Sequence, residues 1–367
     1  MNKNYMQTTA LLHVQKCSGT ALYVDCVKRC KELSLSRANE SSFRGRRLQG
    51  FVVQDVESTQ LGTPCGCRGF FDAHWTFQEL TAVRRVARRA AIPFEFATVL
   101  RDPVDRVISE YRYLRNSANG PAAVHQDQWD YLDQRAIGSG YLRLSPLGES
   151  LISRNQSFSI GAFLEAAPGH HPAHNRMVRY IGGASPRHWL RVPYPQGCCM
   201  HGLARPNAIA WARTRGGDRV ATALQRELDA LQDGADAATA PLAPQPSRAD
   251  LARALSRLVT DFAAVGVAER PEDTAASFQA RLGWSPEAVA RAVHGHRYKV
   301  SPKLRRRIRQ LNRFDVVLYD LANALLDTER QRFRAPGQGG SRGGRADGQG
   351  KGGEDAGMVE VEGWSAR

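Results

Sequence analysis

LLHVQKCSGTAL, residues 11–22, is a short apolar run, a glutamine and a lysine, four small or polar residues, and apolar residues again. A chain that leaves a buried strand, turns through Cys-Ser-Gly-Thr and enters a helix presents backbone N–H groups at the helix N-terminus. The partial positive charge there favours an anion. A Walker A loop needs G-x-x-x-x-G-K-[ST], with its lysine opening the helix. Here Lys16 precedes Ser18, Gly19 and Thr20, so the segment reads as an anion cradle with a different lysine placement.

Outward from that loop, apolar β-rich runs occur at 9–14, 50–53 and 94–100, with 69–75 as a shorter candidate. Helical patterns at 21–33, 79–91 and 104–114 lie between or after them. Strands alternating with helices predict an α/β fold, a parallel sheet flanked by crossover helices, with ligands at the carboxyl ends of the strands. The periodicity fades over 116–148, which reads as a long surface excursion, and helices resume at 159–166 and 175–181. A loop follows at 182–202, then a helical segment at 220–231 and a linker-like stretch at 233–247. Ser301 and Pro302 form an N-cap and first-turn proline. Leu304, Ile308, Leu311, Leu318, Leu321 and Leu325 then predict one amphipathic helix docking on the domain. Its arginines, Arg305, Arg306, Arg307 and Arg309, read as a solvated face.

The expected organisation is one domain over 8–333 with a helical C-terminal part and a flexible insertion at about 203–250. A disordered Gly/Arg-rich tail, 334–367, is expected to follow, because 11 of the 33 glycines lie beyond residue 334. A hydrophobic content of 42% is enough to build a sizeable core. The formal charge is +15, and the stretch from Ala335 holds four basic and five acidic residues, so the excess belongs to the folded part. Such a surface attracts polyanions of any kind. Seven cysteines are too few and too irregular for a disulfide scaffold, and their spacings are not those of zinc ribbons. No run of about 18 apolar residues predicts a membrane span, and residues 1–14 lack the apolar core and cleavage site of a signal peptide.

A second motif narrows the anion. FATVLRDPVDRVISEYRYLR, residues 96–115, runs from a strand into Arg101, a turn at Asp102 and Pro103, and a helix carrying Ser109. Arg101 at a strand's end suits a bidentate contact with phosphate, and Ser109 adds a hydroxyl. Two anion sites on adjacent strand ends suit a nucleotide with phosphates on both sides of its ribose.

QKCSGT resembles the QKTGGT 5′-phosphosulfate loop, and LRDPVDRVISEYRY the 3′-phosphate motif LRDPVSRYLSEWRH, of the heparan sulfate 6-O-sulfotransferases. The likeness continues, in the family's order, through ELTAV, FLEAAPGHHPAHNRMVRYIGG, FAAVGVAERPEDTAASFQARLGW and LNRFDVVLYDLANALL, covering most of residues 11–333. It implies the P-loop-like sulfotransferase fold and a carbohydrate sulfotransferase using 3′-phosphoadenosine 5′-phosphosulfate (PAPS). Lys16, Cys17, Ser18, Gly19 and Thr20 would hold the phosphosulfate, and Arg101 and Ser109 the 3′-phosphate. Cys17 stands where the family has threonine and reads as a small loop filler. The implied partners are the nucleotide donor and an anionic polysaccharide acceptor, and the implied location is the Golgi lumen or membrane, although no signal or anchor is read in this chain.

Sulfuryl transfer needs an activated acceptor hydroxyl, in-line placement and positive charge at the leaving oxygen. Lys16 supplies the charge, and a histidine is the best base near neutral pH. Anchored on Glu79, Leu80 and Thr81, the family's HADWTELT motif puts the base on His74 without a gap; anchored on Trp75, it puts that position on Asp72. Residues 72 and 74 of a strand share a face, so Asp72 would orient His74 or share the site. Asn175, Arg176 and Arg179, by resemblance to ANNRQVRML, are candidates for the acceptor or nucleotide side.

Other features carry blander readings. His13 packs in or beside the sheet. His171 and His174 lie three apart, but no further ligand accompanies them, so no metal is expected. Arg84, Arg85, Arg88 and Arg89 are equally a solvated stripe or a track for an anionic sugar chain. A catalytically inactive nucleotide- or polyanion-binding protein of the same fold is the alternative. An RNA-binding reading lacks any nucleic-acid module.

Overall fold

The structure is a computed structural model describing residues 8–12, 14, 17, 51–52, 70–73, 77–117, 159–165, 171, 173–183, 200–233, 245–284, 286–293 and 295–334. In chain order the elements are β1 (Thr8–Leu12), β2 (Phe51–Val52), β3 (Phe70–Ala73), α1 (Phe77–Arg89), β4 (Phe94–Leu100), α2 (Pro103–Ser117) and α3 (Ile160–Glu165). Then come α4 (Arg176–Gly182), α5 (Met200–Asp233), α6 (Arg248–Thr260), β5 (Phe262–Val267), α7 (Pro271–Leu282), α8 (Pro286–Ala292), α9 (Pro302–Leu311) and α10 (Arg313–Arg334).

The sheet order is β2-β3-β1-β4-β5. β3, β1, β4 and β5 run parallel, and the short β2 pairs antiparallel to β3. The expected α/β architecture, a parallel sheet flanked by helices, is what forms. Parallel strands need both faces covered, because their crossovers lay helices on each side. Along β4, Phe94, Phe96 and Leu100 join Ala10 and Leu12 on one face, under apolar residues of α1, α4, α5, α6 and α10. Ala97, Val99, Leu11 and Ala264 turn to the other face, where Phe278 of α7, Trp284 and Val289 of α8 meet them. Phe96 is fully buried and touches Phe77, Phe94 and Phe262 at ring-centroid distances of 5.8, 5.7 and 6.0 Å. The close fit of α7 depends on Gly266, where an added Cβ would lie 2.4 Å from Thr274 Cγ2. Thr274 Oγ1 both accepts from the Val267 N–H and donates to its carbonyl, pinning the end of β5 to α7.

Several elements depart from expectation. The insertion expected to be flexible at about 203–250 is helical over 200–233, kinked at Gly217 (φ 76°), and helical again from Arg248. Trp211, Leu224 and Leu228 bury α5 in the main core, with Trp211 against Phe94 at 5.6 Å. Ser247 begins α6 with a reciprocal cap: its hydroxyl accepts from the Asp250 N–H, and Asp250 accepts from the Ser247 N–H. The helix expected from Ser301 does start there, Ser301 Oγ accepting from the Leu304 N–H at 3.3 Å, but breaks at Asn312 into α9 and α10. The expected helix at 21–33 and the tail beyond residue 334 lie outside the described residues, as does nearly all of the 116–148 excursion.

Candidate functional site

The carboxyl ends of three neighbouring strands lie side by side. Leu12 of β1 is in register with Ala73 of β3 on one side and Thr98 of β4 on the other. Thr98 Oγ1 donates to the Leu12 carbonyl at 3.0 Å, locking the two central strands at this level. Just past β1, Cys17 donates its N–H to the Val14 carbonyl at 3.2 Å, and both side chains are buried. Burial pushes the Cys17 thiol up to about 12, against the opposing pull of the Arg106 and Arg101 cations. Cys17 therefore lies within reach of the charge on Arg106 and Arg101. The thiol stays protonated and packs with Leu12 and Val14, which fits a filler. Lys16, Ser18, Gly19, Thr20, His13 and His74 lie outside the described residues. Asp72 is in β3 with its backbone opposite Leu11.

At the tip of β4 the second motif folds as its residues dictate. Asp102 Oδ1 accepts from the N–H groups of Val104 and Asp105 at 2.7 and 3.2 Å, and Pro103 occupies the first turn of α2. Arg101, 6% exposed, donates through Nη2 to the His296 carbonyl at 2.7 Å, with its Nε 3.8 Å from Glu269 Oε1. Glu269 stands at the tip of β5. Its two oxygens share the Asp102 N–H at 3.2 Å each, and Oε2 accepts from Tyr319 Oη at 3.0 Å. Burial pushes this carboxyl above the ordinary glutamate range, opposed by those hydrogen bonds and by Arg101. Segment 295–300 crosses the same corner. Tyr298 donates its N–H to Asp105 Oδ1 at 2.9 Å, and its ring lies under the guanidinium of Arg112 at 4.5 Å. Ser109, half-buried, falls between Asp105 and Arg112 on that face of α2. Gly295 suits this crossing, because a Cβ would crowd Glu269 Oε1 at 2.8 Å and the Ala268 backbone at 3.0 Å. Glu269, Tyr298 and Tyr319 escaped the sequence reading. A carboxylate two residues past a short apolar run, FAAVGV, was the available signal for Glu269.

The structure places Asn175, Arg176 and Arg179 inside the fold: Arg176 and Arg179 are fully buried, and Asn175 is 5% exposed. Glu110 of α2 holds Arg106 through one oxygen and Arg176 through the other, both at 2.7 Å. Arg106 also donates to the Ala173 carbonyl, and Arg179 to the carbonyls of His171 and His174. Two helix N-termini cap one another: Asp315 accepts from the N–H groups of Met177 and Val178, and Asn175 Oδ1 from those of Phe314 and Asp315. These groups frame α2 from behind.

The arginines of α1 are largely engaged by neighbouring elements. Arg84 pairs with Asp261 at 2.6 Å, and Arg85 and Arg89 share Glu227 at 3.4 and 3.0 Å. Among the described residues no group of three or more His, Cys, Asp or Glu is placed to hold a metal ion, and no helix is long and apolar enough to cross a membrane. No protein-family model matches the chain, and no curated protein matches it.

Proposed function

We propose that the chain is a PAPS-dependent carbohydrate sulfotransferase acting on a hydroxyl of an anionic polysaccharide, of the heparan sulfate 6-O type and P-loop-like fold that its motifs resemble. The observation that carries this reading is the strand order β3-β1-β4, all parallel with ends in register. The chain leaves β1 into Lys16, β3 into His74 and β4 into Arg101. Three adjacent strand tips thus feed the cradle, the base and the second anion-binding arginine, where ligands collect in such sheets. The corner also suits a phosphate group: it offers the buried cation Arg101, the hydroxyl of Ser109 nearby and a second cation, Arg112.

In this reading Lys16 and the N–H groups of residues 17–20 grip the phosphosulfate end of the donor, while Arg101 and Ser109 hold the 3′-phosphate. His74 takes the proton from the acceptor hydroxyl as its oxygen bonds to sulfur. Lys16 stabilises the charge on the bridging oxygen that leaves with the nucleotide. Asp72 belongs on the acceptor side of the same strand end. Asn175, Arg176 and Arg179 serve the site by holding α2 in place. By the same resemblance the enzyme works in the Golgi.

The test is transfer of labelled sulfate from PAPS to desulfated heparan sulfate by wild type, His74→Ala and Lys16→Ala. His74→Ala is expected to lose about 100-fold or more in kcat with donor affinity kept, the ordinary contribution of a general base. Lys16→Ala is expected to lose both donor affinity and kcat. Wild type that binds donor yet transfers nothing to any glycan sinks the enzyme reading and leaves the inactive binding protein.

A further inference from the structure

We propose that Glu269 is the positioning residue of the second anion site: its carboxylate fixes the turn carrying Arg101 and sets, through its own charge, how tightly that arginine holds a nucleotide phosphate. The inference rests on the donor reading above and adds a residue that no motif singled out.

Three observations carry it. First, Glu269 ties three pieces of the corner together. It stands at the end of β5, accepts the Asp102 N–H from the β4 tip and the Tyr319 hydroxyl from α10, and lies where a Cβ at position 295 would crowd it. Second, its carboxylate already occupies the place of an anion, on a backbone N–H at a strand tip, 3.8 Å from the Arg101 guanidinium. Third, both side chains are out of water, 7% and 3% exposed, so solvent screens their interaction little. A phosphate reaching Arg101 therefore meets a site whose cation is already offset by a buried negative charge. Removing that charge while keeping its hydrogen bonds strengthens the grip on phosphate. Removing the hydrogen bonds as well lets the Arg101 turn move and weakens it.

The test measures the affinities of adenosine 3′,5′-bisphosphate and adenosine 5′-monophosphate for the full chain by calorimetry. Their ratio isolates the 3′-phosphate from general effects on folding or adenosine binding. Glu269→Gln, whose amide keeps the shape and can still accept from Asp102, is expected to raise the ratio about tenfold or more, the scale of removing one charge several ångströms away at intermediate dielectric. Glu269→Ala is expected to lower it, and Arg101→Ala to bring it close to one. Should Glu269→Gln not fold, Tyr319→Phe provides the second reading. It strips one donor from the carboxylate, leaves more of the charge to act on Arg101, and lowers the ratio about twofold. Wild type that tells the two nucleotides apart, with the ratio unmoved in every Glu269 and Tyr319 variant, overturns the role of Glu269 alone. Wild type that binds neither nucleotide overturns the donor reading and this inference with it.

Discussion

Glu110 shows what a single side chain does in this fold. One oxygen takes Arg106 and the other Arg176, each at 2.7 Å, with all three side chains 3% exposed or less. A second buried carboxylate, Asp315, lies 4.0 Å from Arg106 Nε. Burial pushes Asp315 upward, opposed by Arg106 and by the Met177 and Val178 N–H groups. Losing Glu110 removes the carboxylate that joins the buried Arg106 and Arg176. Breaking a buried pair from one side costs about 3–5 kcal/mol, whereas an exposed pair is worth under about 1 kcal/mol. Glu110→Ala is therefore expected to lower unfolding free energy by about 3–5 kcal/mol in urea titrations. Arg213→Ala, which breaks an exposed pair with Asp218, is expected to change it by less than about 1 kcal/mol. Equal effects from the two variants would refute this account of the cluster.

At the scale of elements, the meeting of α4 and α10 is the joint on which α2 rests. Their N-termini exchange side-chain caps, and the turn before α4 passes through Asn175 at φ 48°, a left-handed conformation that asparagine tolerates. The same turn buries His171 and His174, whose rings stack at 4.6 Å. Burial, followed by each other's charge or that of Arg106 and Arg179, lowers them to about 3 and about 4. Glu110 and Glu165 oppose the shift without cancelling it. Both folded values lie below the ordinary 6.5, so as pH falls through that value the unfolded chain takes up protons that the folded chain refuses. Stability should be level above about pH 7, decline below 6.5, and keep declining until the folded rings protonate. His174→Gln should flatten the decline between about pH 6 and 4.5 by about one proton's worth of slope in urea midpoints. An unchanged slope would show that His174 takes no part. The histidine pair was visible in the sequence, and its burial was not, because a GHHPAHN loop carries no apolar period to mark it as interior. β4 was readable to the residue from its long apolar run ending at Arg101. β5 was missed because FAAVGV, buried on both faces and rich in alanine and glycine, shows no alternation and few strand formers. The second half of α5, past the non-helical Gly217 (φ 76°), matches the helix expected at 220–231; the first half, which buries Trp211, was missed.

For the molecule as a whole, the sequence showed how much positive charge there is and not where it collects. Two arginine-rich helices carry much of it, and the structure surrounds them differently. On α1 the stripe is largely offset by Asp261 from the end of α6 and Glu227 from α5. From Gly295 to Phe314, in contrast, the chain holds eight lysines and arginines and no carboxylate. Arg307 pairs with Glu165, while Arg297, Lys299, Lys303, Arg306 and Arg309 are exposed. This run begins against Arg101, through the His296 carbonyl, and continues along α9. The arginines of α9, read from the sequence as a solvated face, thus lie on the stretch of chain that leads away from Arg101. Under the proposed function, an acidic acceptor chain extending past the site gains from this uncompensated charge and little from α1. Lys303→Glu, Arg306→Glu and Arg309→Glu combined should weaken heparin binding about tenfold or more at low salt, with the difference shrinking as salt screens exposed charges. Adenosine 3′,5′-bisphosphate affinity should stay as it was, because all three are exposed on α9 whereas Arg101 is buried. Arg85→Glu with Arg88→Glu should have a smaller effect on heparin. Elution from immobilised heparin across a salt gradient ranks the two variants directly. A larger loss from the α1 changes would move the acceptor path to α1, where Glu227 would have to yield to the polysaccharide.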